Sequence, residues 1–211
     1  MPAAVFLAVV VVGAGAFLFA ERRRRPTLAF FGKLLASLGF LALGWSRLRA
    51  GSVADALVVL GLALCVGGDL LLLSRRLFTA GLAAFLFGHL AYLAAFHALL
   101  PARDWPLALA APVVSASALA AGWLWPHLGR MRPAVLAYVA TITTMVWGAL
   151  SGAVAGVLPA PAAAGAVLFY FSDLAVARRR FIAPSFSVRA VGLAAYYLGQ
   201  VLLAWAVGAT G

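Results

Sequence analysis

The chain has 211 residues, 66% of them hydrophobic and only 10% charged, with a formal net charge of +11. Mean hydropathy is +1.09; a soluble domain would carry roughly a quarter charged residues, so that class is excluded. Nucleic-acid binding is excluded as well, because the basic residues cluster at the ends of apolar runs, as the positive-inside rule requires of a membrane protein.

Eight spans of about 20 residues would occupy about 160 positions and leave only short loops. The sequence therefore predicts an all-α polytopic membrane protein, one helical bundle over residues 1–211. The first span covers about 3–20 and is followed by Glu21 and Arg22–Arg25. That basic cluster trails the apolar run instead of preceding it, so the segment reads as a retained helix and not a signal peptide. The second span, about 27–46, carries Lys33. The third, about 53–73, holds Gly67-Gly68-Asp69 and stops at Ser74-Arg75-Arg76. The fourth, about 78–99, carries His89, Tyr92 and His97. The fifth, about 107–125, closes with Trp123 and Trp125, which suit an interfacial belt. The sixth, about 133–150, has Tyr138 and the trio Thr141, Thr143 and Thr144, expected to bond back onto the helix or pack between helices. The seventh, about 162–177, holds Ser172-Asp173 and ends at Arg178–Arg180. The eighth, about 188–208, carries Tyr196, Tyr197 and Gln200. The single cysteine, Cys65, lies in an apolar run and reads as a small buried side chain.

Twelve of the 16 basic residues fall in loops on one side, at Arg22–Arg25, Arg75, Arg76, Arg130, Arg132, Arg178–Arg180 and Arg189. Arg47, Arg49 and Arg103 fall on the other. The richer side is expected to be cytoplasmic, with both termini facing away from the cytoplasm. A shift of 104 residues superposes Asp69 on Asp173, Leu70 on Leu174, Arg75-Arg76 on Arg179-Arg180, Gly88 on Gly192, Ala91 on Ala195 and Tyr92 on Tyr196. This suggests a 4+4 parallel internal repeat, with halves 1–104 and 105–211 and a site at their interface.

Five acidic residues occur in the whole chain, and two of them, Asp69 and Asp173, lie inside apolar spans. An ionisable group on a membrane span is a functional-site hypothesis by default. Each lies six residues before an arginine, which at 1.5 Å per residue puts it about 9 Å below the basic level. Lys33, Tyr196 and Tyr197 fall in the same layer, while His89, Tyr92 and Gln200 lie deeper. Two close carboxylates at low dielectric tend to divide into an acid that keeps its proton and a base. That division suits a reaction through an oxocarbenium-like state. Lys33 has a bland reading, snorkelling to the interface, and His89 can be an inter-helix donor. The arginine runs are topology signals that can also hold a lipid phosphate. Chemistry alone does not choose a vinyl ether over an ester or amide. It leaves open a metal-dependent intramembrane lipid hydrolase using Asp69, His89 and Asp173, and a small membrane transporter.

The stretches Gly68-Asp69-Leu70-Leu71-Leu72, Gly88-His89-Leu90-Ala91-Tyr92, Phe171-Ser172-Asp173-Leu174 and Tyr196-Tyr197-Leu198-Gly199-Gln200 resemble the YhhN family of integral membrane lysoplasmalogenases. Lys33 and Tyr138 also fall where that family places such residues, although Lys33 is followed by Leu34 where members often have proline. The resemblance implies hydrolysis of the vinyl ether of a lysoplasmalogen to a fatty aldehyde and glycerophospho-ethanolamine or -choline. It implies a lysophospholipid substrate, no metal or other cofactor, and a multi-pass protein of the cell (inner) membrane. Asp69 and Asp173 are then expected to be catalytic. Lys33, His89, Tyr92, Ser172, Tyr196, Tyr197 and Gln200 would support them, and Arg75, Arg76, Arg178, Arg179 and Arg180 are candidates for the phosphate. Oligomeric state is not written in the sequence.

Overall fold

In the computed structural model, which describes residues 2–209, eight long helices account for the expected spans. They are α1 (Ala3–Arg22), α2 (Pro26–Ser46), α3 (Val53–Leu71), α4 (Phe78–Leu99), α5 (Leu107–Leu124), α6 (Arg132–Val154), α7 (Ala160–Phe181) and α8 (Phe186–Ala206). All eight are long and apolar enough to cross a membrane. The chain is a multi-pass membrane protein. Large apolar side chains such as Val11, Phe31, Leu107 and Leu119 point outward, where a bilayer replaces water as solvent.

Local signals set the helix ends. Arg24 takes a left-handed φ of 55° to turn the chain, and Pro26, whose ring pre-sets helical φ, opens α2. Ser52 caps α3 by accepting from Asp55 N at 3.2 Å, and Ser185 caps α8 by accepting from Val188 N at 3.4 Å. The largest departure from the expected boundaries is at α7, which runs on through Arg178–Arg180 to Phe181. Basic side chains in a last turn complement the helix dipole, so the arginine run extends the helix instead of ending it. The α6 helix likewise continues to Val154.

Three antiparallel pairs form the tightest units: α1 with α2, α3 with α4, and α7 with α8. Glycines permit the approach. A Cβ built on Gly13 would lie 2.5 Å from Ala36 N, and one on Gly165 would lie 2.7 Å from Gly199 O. These are backbone-to-backbone contacts of the small-residue kind that lets membrane helices associate without a hydrophobic drive. The pairs join through α2 on α3, α6 on α7, α4 on α6 and α2 on α8, while α5 lies outside against α6. The core between them is aromatic, with Phe17, Phe40, Tyr92 and Phe169 fully buried.

The three threonines of α6 bond back to carbonyls four residues earlier, as expected. Thr143 Oγ1 also lies 2.6 Å from Ser117 Oγ of α5, within hydrogen-bond distance. Near the opposite end, His97 Nδ1 accepts from Ala102 N at 3.1 Å, tying the end of α4 to its loop.

Candidate active site

Both intramembrane aspartates open onto one cavity of about 660 Å³. Its mouth lies at the arginine-rich end, where Glu21, Arg75, Arg179, Arg180 and Arg189 line it. Its deeper wall is apolar, with Phe85, Val139 and Ile142, and Ala120 and Leu124 reach it from α5.

Asp69 comes from the last turns of α3 and is almost fully buried. Its Oδ1 lies 3.0 Å from Lys33 Nζ. Its Oδ2 accepts from Ser37 Oγ at 2.6 Å and from Tyr196 OH at 2.8 Å. Lys33 and Ser37 are one helical turn apart, on one face of α2. Lys33 therefore does not snorkel. Its ammonium is held in the bundle, 5.2 Å from the Phe17 ring centroid. A carboxylate has about four lone-pair positions. The two on Oδ2 are filled, and one on Oδ1 remains open.

Asp173, on α7, is more accessible, its side chain 17% exposed. Its Oδ2 accepts from Tyr138 OH of α6 at 2.9 Å and faces His89 Nε2 of α4 at 3.2 Å. That imidazole contact has the distance of an ion pair without the alignment of a full hydrogen bond. His89 Nδ1 lies 2.6 Å from the carbonyl oxygen of Phe85. A carbonyl only accepts, so Nδ1 carries hydrogen. The ring, fully buried, stacks at 4.3 Å on Phe169.

The two carboxylates are held separately. Among the described residues no hydrogen bond joins them, and each has its own donors. Expected repulsion is thus relieved by separate partners: a lysine for one and a histidine for the other. Asp69 is met from α2 and α8, and Asp173 from α6 and α4.

Five expected residues stand away from the carboxylates. Tyr92 OH donates to Gln200 Oε1 at 2.7 Å, fastening α4 to α8 in the interior, and neither side chain lines the cavity. Tyr197 OH lies 3.5 Å from both Ser37 Oγ and the Lys33 carbonyl, so it backs α2 and not a carboxylate. Arg76 does not line the cavity, and neither does Arg178, although Arg75, Arg179 and Arg180 do. Ser172 lines the wall beside Asp173. Ser37 and Glu21 were not expected as site residues, and Tyr138 was noted only through the family resemblance, with no role at the carboxylates. Ser37 could have been found from its i+4 spacing to Lys33, and Tyr138 from being the one tyrosine of α6.

Among the described residues no three His, Cys, Asp or Glu side chains converge to hold a metal ion. The place a cation would take at Asp69 is filled by the Lys33 ammonium.

A model of the YhhN family matches residues 28–207, which takes in α2 through α8 and both aspartates. This chain belongs to the YhhN family. It is 34% identical over 177 residues to a human protein named lysoplasmalogenase TMEM86A, spanning 79% of this chain and 71% of the relative. It is 31% identical over 188 residues to the Bos taurus protein of the same name, spanning 85% and 73%. No solved structure matches the chain.

Proposed function

We propose that this YhhN protein hydrolyses the vinyl ether of lysoplasmalogens within the membrane, the activity named for its human and bovine relatives. The observation that carries the reading is one amphiphilic cavity, cationic at its mouth and apolar at depth, with two differently partnered carboxylates between. A lysolipid fits that order: phosphate at the arginines, vinyl ether at the carboxylates, chain against Phe85, Val139 and Ile142. The basic mouth argues for a cytoplasmic-facing site in the cell membrane.

The partners divide the labour. Asp69 faces one ammonium and two hydroxyl donors, which suits the ionised form. Asp173 faces His89 Nε2, and since Nδ1 already carries hydrogen, one proton belongs between the two groups. The Asp173–His89 pair is therefore the acid. It protonates the vinyl carbon remote from oxygen, leaving an oxocarbenium ion opposite Asp69. Water hydrogen-bonded to the open lone pair of Asp69 Oδ1 adds to the carbon next to oxygen, and Asp69 takes its proton. The hemiacetal then collapses: its hydroxyl proton returns to Asp173, Asp69 gives its proton to the departing glycerol oxygen, and the aldehyde is released. Atoms and protons balance, and both carboxylates recover their starting states. Tyr138 and Tyr196 orient the pair, each from a helix outside the one that carries its aspartate.

The deciding experiment is product analysis by mass spectrometry after incubating purified protein with a lysoplasmalogen and with the matching lysophospholipid ester. Fatty aldehyde from the vinyl ether alone supports the reading. Fatty acid from the ester, or no product from either lipid, overturns it.

A further inference from the structure

The mouth of the cavity holds one group that acid–base chemistry does not use. Glu21, at the C-terminal end of α1, is the single acid among Arg75, Arg179, Arg180 and Arg189. The negative end of a helix is an unfavourable place for a carboxylate, so its presence there calls for cationic partners. Arg189 Nε pairs with Glu21 Oε2. The second oxygen, Oε1, has no protein partner among the described residues. In the same wall Arg179 Nε is buried and bonded to nothing. The mouth thus presents one open acceptor on a carboxylate, and the guanidinium of Arg179 in its wall keeps one nitrogen unpaired. A buried donor left unpaired is destabilising, and a ligand that fills it gains a charge-assisted bond.

The geometry points to Glu21 and Arg179 as the pair that reads the lipid head group. Arg179, with Arg75, takes the phosphodiester, and Glu21 Oε1 takes a primary ammonium two carbons away. The preferred substrate class is then the ethanolamine lysolipid. This rests on the lipid-hydrolase reading of the cavity and adds selectivity to it. A choline head group has no N–H to give Glu21. Beyond undirected charge attraction, its means of capture is an aromatic face, and the nearby rings already carry cations: Arg189 lies 5.0 Å from the Phe17 ring centroid and Arg180 lies 4.5 Å from that of Phe78. A bare phosphate monoester offers Glu21 only more negative charge. Glu21 precedes the stretch 28–207 matched by the family model.

The test compares alkenyl lysolipids with ethanolamine, choline and no head-group alcohol on the purified full chain. The expected order puts ethanolamine about tenfold ahead of choline in kcat/KM, the size of one charge-assisted hydrogen bond. Glu21→Gln is expected to bring that ratio near one by raising KM for ethanolamine, and Glu21→Asp to keep most of the preference. Arg179→Gln is expected to raise KM for ethanolamine and choline alike. Equal rates in the wild type, a preference for the monoester, or a ratio unchanged in Glu21→Gln would each overturn the proposal. Thermal stabilisation by lysophosphatidylethanolamine and lysophosphatidylcholine separates this idea from the hydrolase reading, since neither lipid has a vinyl ether. Greater stabilisation by the ethanolamine lipid, abolished in Glu21→Gln, supports the head-group site even if no aldehyde ever forms. Equal stabilisation by the two lipids overturns it whatever the turnover. If Glu21→Gln does not fold, the wild-type preference and the Glu21→Asp variant decide by the same criteria.

Discussion

Asp69 is held by three donors and Asp173 by two groups, and mutation should reveal that difference. Asp69→Asn and Asp173→Asn each remove a proton-transfer group and should lower kcat by about 10²- to 10⁴-fold. Their effects on folding should part. Asp69 forms a buried pair with Lys33 at 3.0 Å. Breaking such a pair on one side strands a charge and is worth about 3–5 kcal/mol, whereas replacing both members by apolar groups is often neutral. Lys33→Met alone should therefore lower thermal stability strongly, and Lys33→Met combined with Asp69→Leu should restore it without restoring turnover. Thermal unfolding in detergent beside aldehyde release measures both. Recovery of activity in the double variant would sink the catalytic role of Asp69. The peripheral hydroxyls matter less: Tyr138→Phe removes one hydrogen bond at 2.9 Å and should cost about 1 kcal/mol of transition-state stabilisation, five- to tenfold in kcat/KM. At this scale the sequence was informative about the aspartates, because a carboxylate in an apolar run has few explanations. It was poor at naming their partners. Tyr196 and Tyr197 are neighbours in sequence with the same chemistry, but helix rotation alone gives the first to Asp69 and the second to the back of α2.

Helix contacts explain why such small rotations are fixed. Gly67 and Gly68 look interchangeable in sequence, yet they face different surroundings. A Cβ on Gly67 would meet nothing within 4 Å, while one on Gly68 would lie 2.7 Å from the Phe85 ring. That ring packs edge-on against Tyr196 and Phe169, and the Phe85 carbonyl holds His89. Gly67→Ala should leave turnover unchanged and raise stability slightly, by up to about 1 kcal/mol from lost unfolded-chain entropy. Gly68→Ala pushes on the residue that supports both carboxylate systems, so it should lower both stability and kcat. Equal outcomes for the two variants, measured by unfolding temperature and turnover, would show that the α3–α4 contact does not position the site. The eight helices themselves were legible because apolar length and basic ends are strong one-dimensional signals. Their neighbours were not, since which glycine faces which helix depends on packing. The shift of 104 residues sets Tyr92 against Tyr196 and α4 against α8; in the bundle α4 reaches Asp173 and α8 reaches Asp69. His89, which that shift sets against Leu193, is the difference that makes the surroundings of the two carboxylates chemically unlike.

For the whole molecule the decisive quantity is which side the cavity opens on. The mouth lies among Arg75 after α3, Arg179 and Arg180 in the last turn of α7 and Arg189 near the start of α8, so orientation and substrate access are one question. Our proposal is that this end faces the cytoplasm, both termini lie on the opposite side, and lysolipid is drawn from the cytoplasmic leaflet. The positive-inside rule supports it through twelve basic residues against three. The chain lends itself to a direct test, because its single cysteine, Cys65, is fully buried and gives little background. In a Cys65→Ala chain, Ala102→Cys marks the exposed loop before α5, and Thr27→Cys marks the exposed start of α2 at the arginine-rich end. An impermeant maleimide applied to right-side-out membrane vesicles should label position 102 and leave position 27 untouched. Detergent should make both positions reactive. Labelling of position 27 alone would invert the molecule, place the cavity mouth on the outer face, and move the substrate supply to the outer leaflet. The chemistry assigned to Asp69 and Asp173 would survive that result, because their depth is measured from the arginine level and not from either side of the membrane.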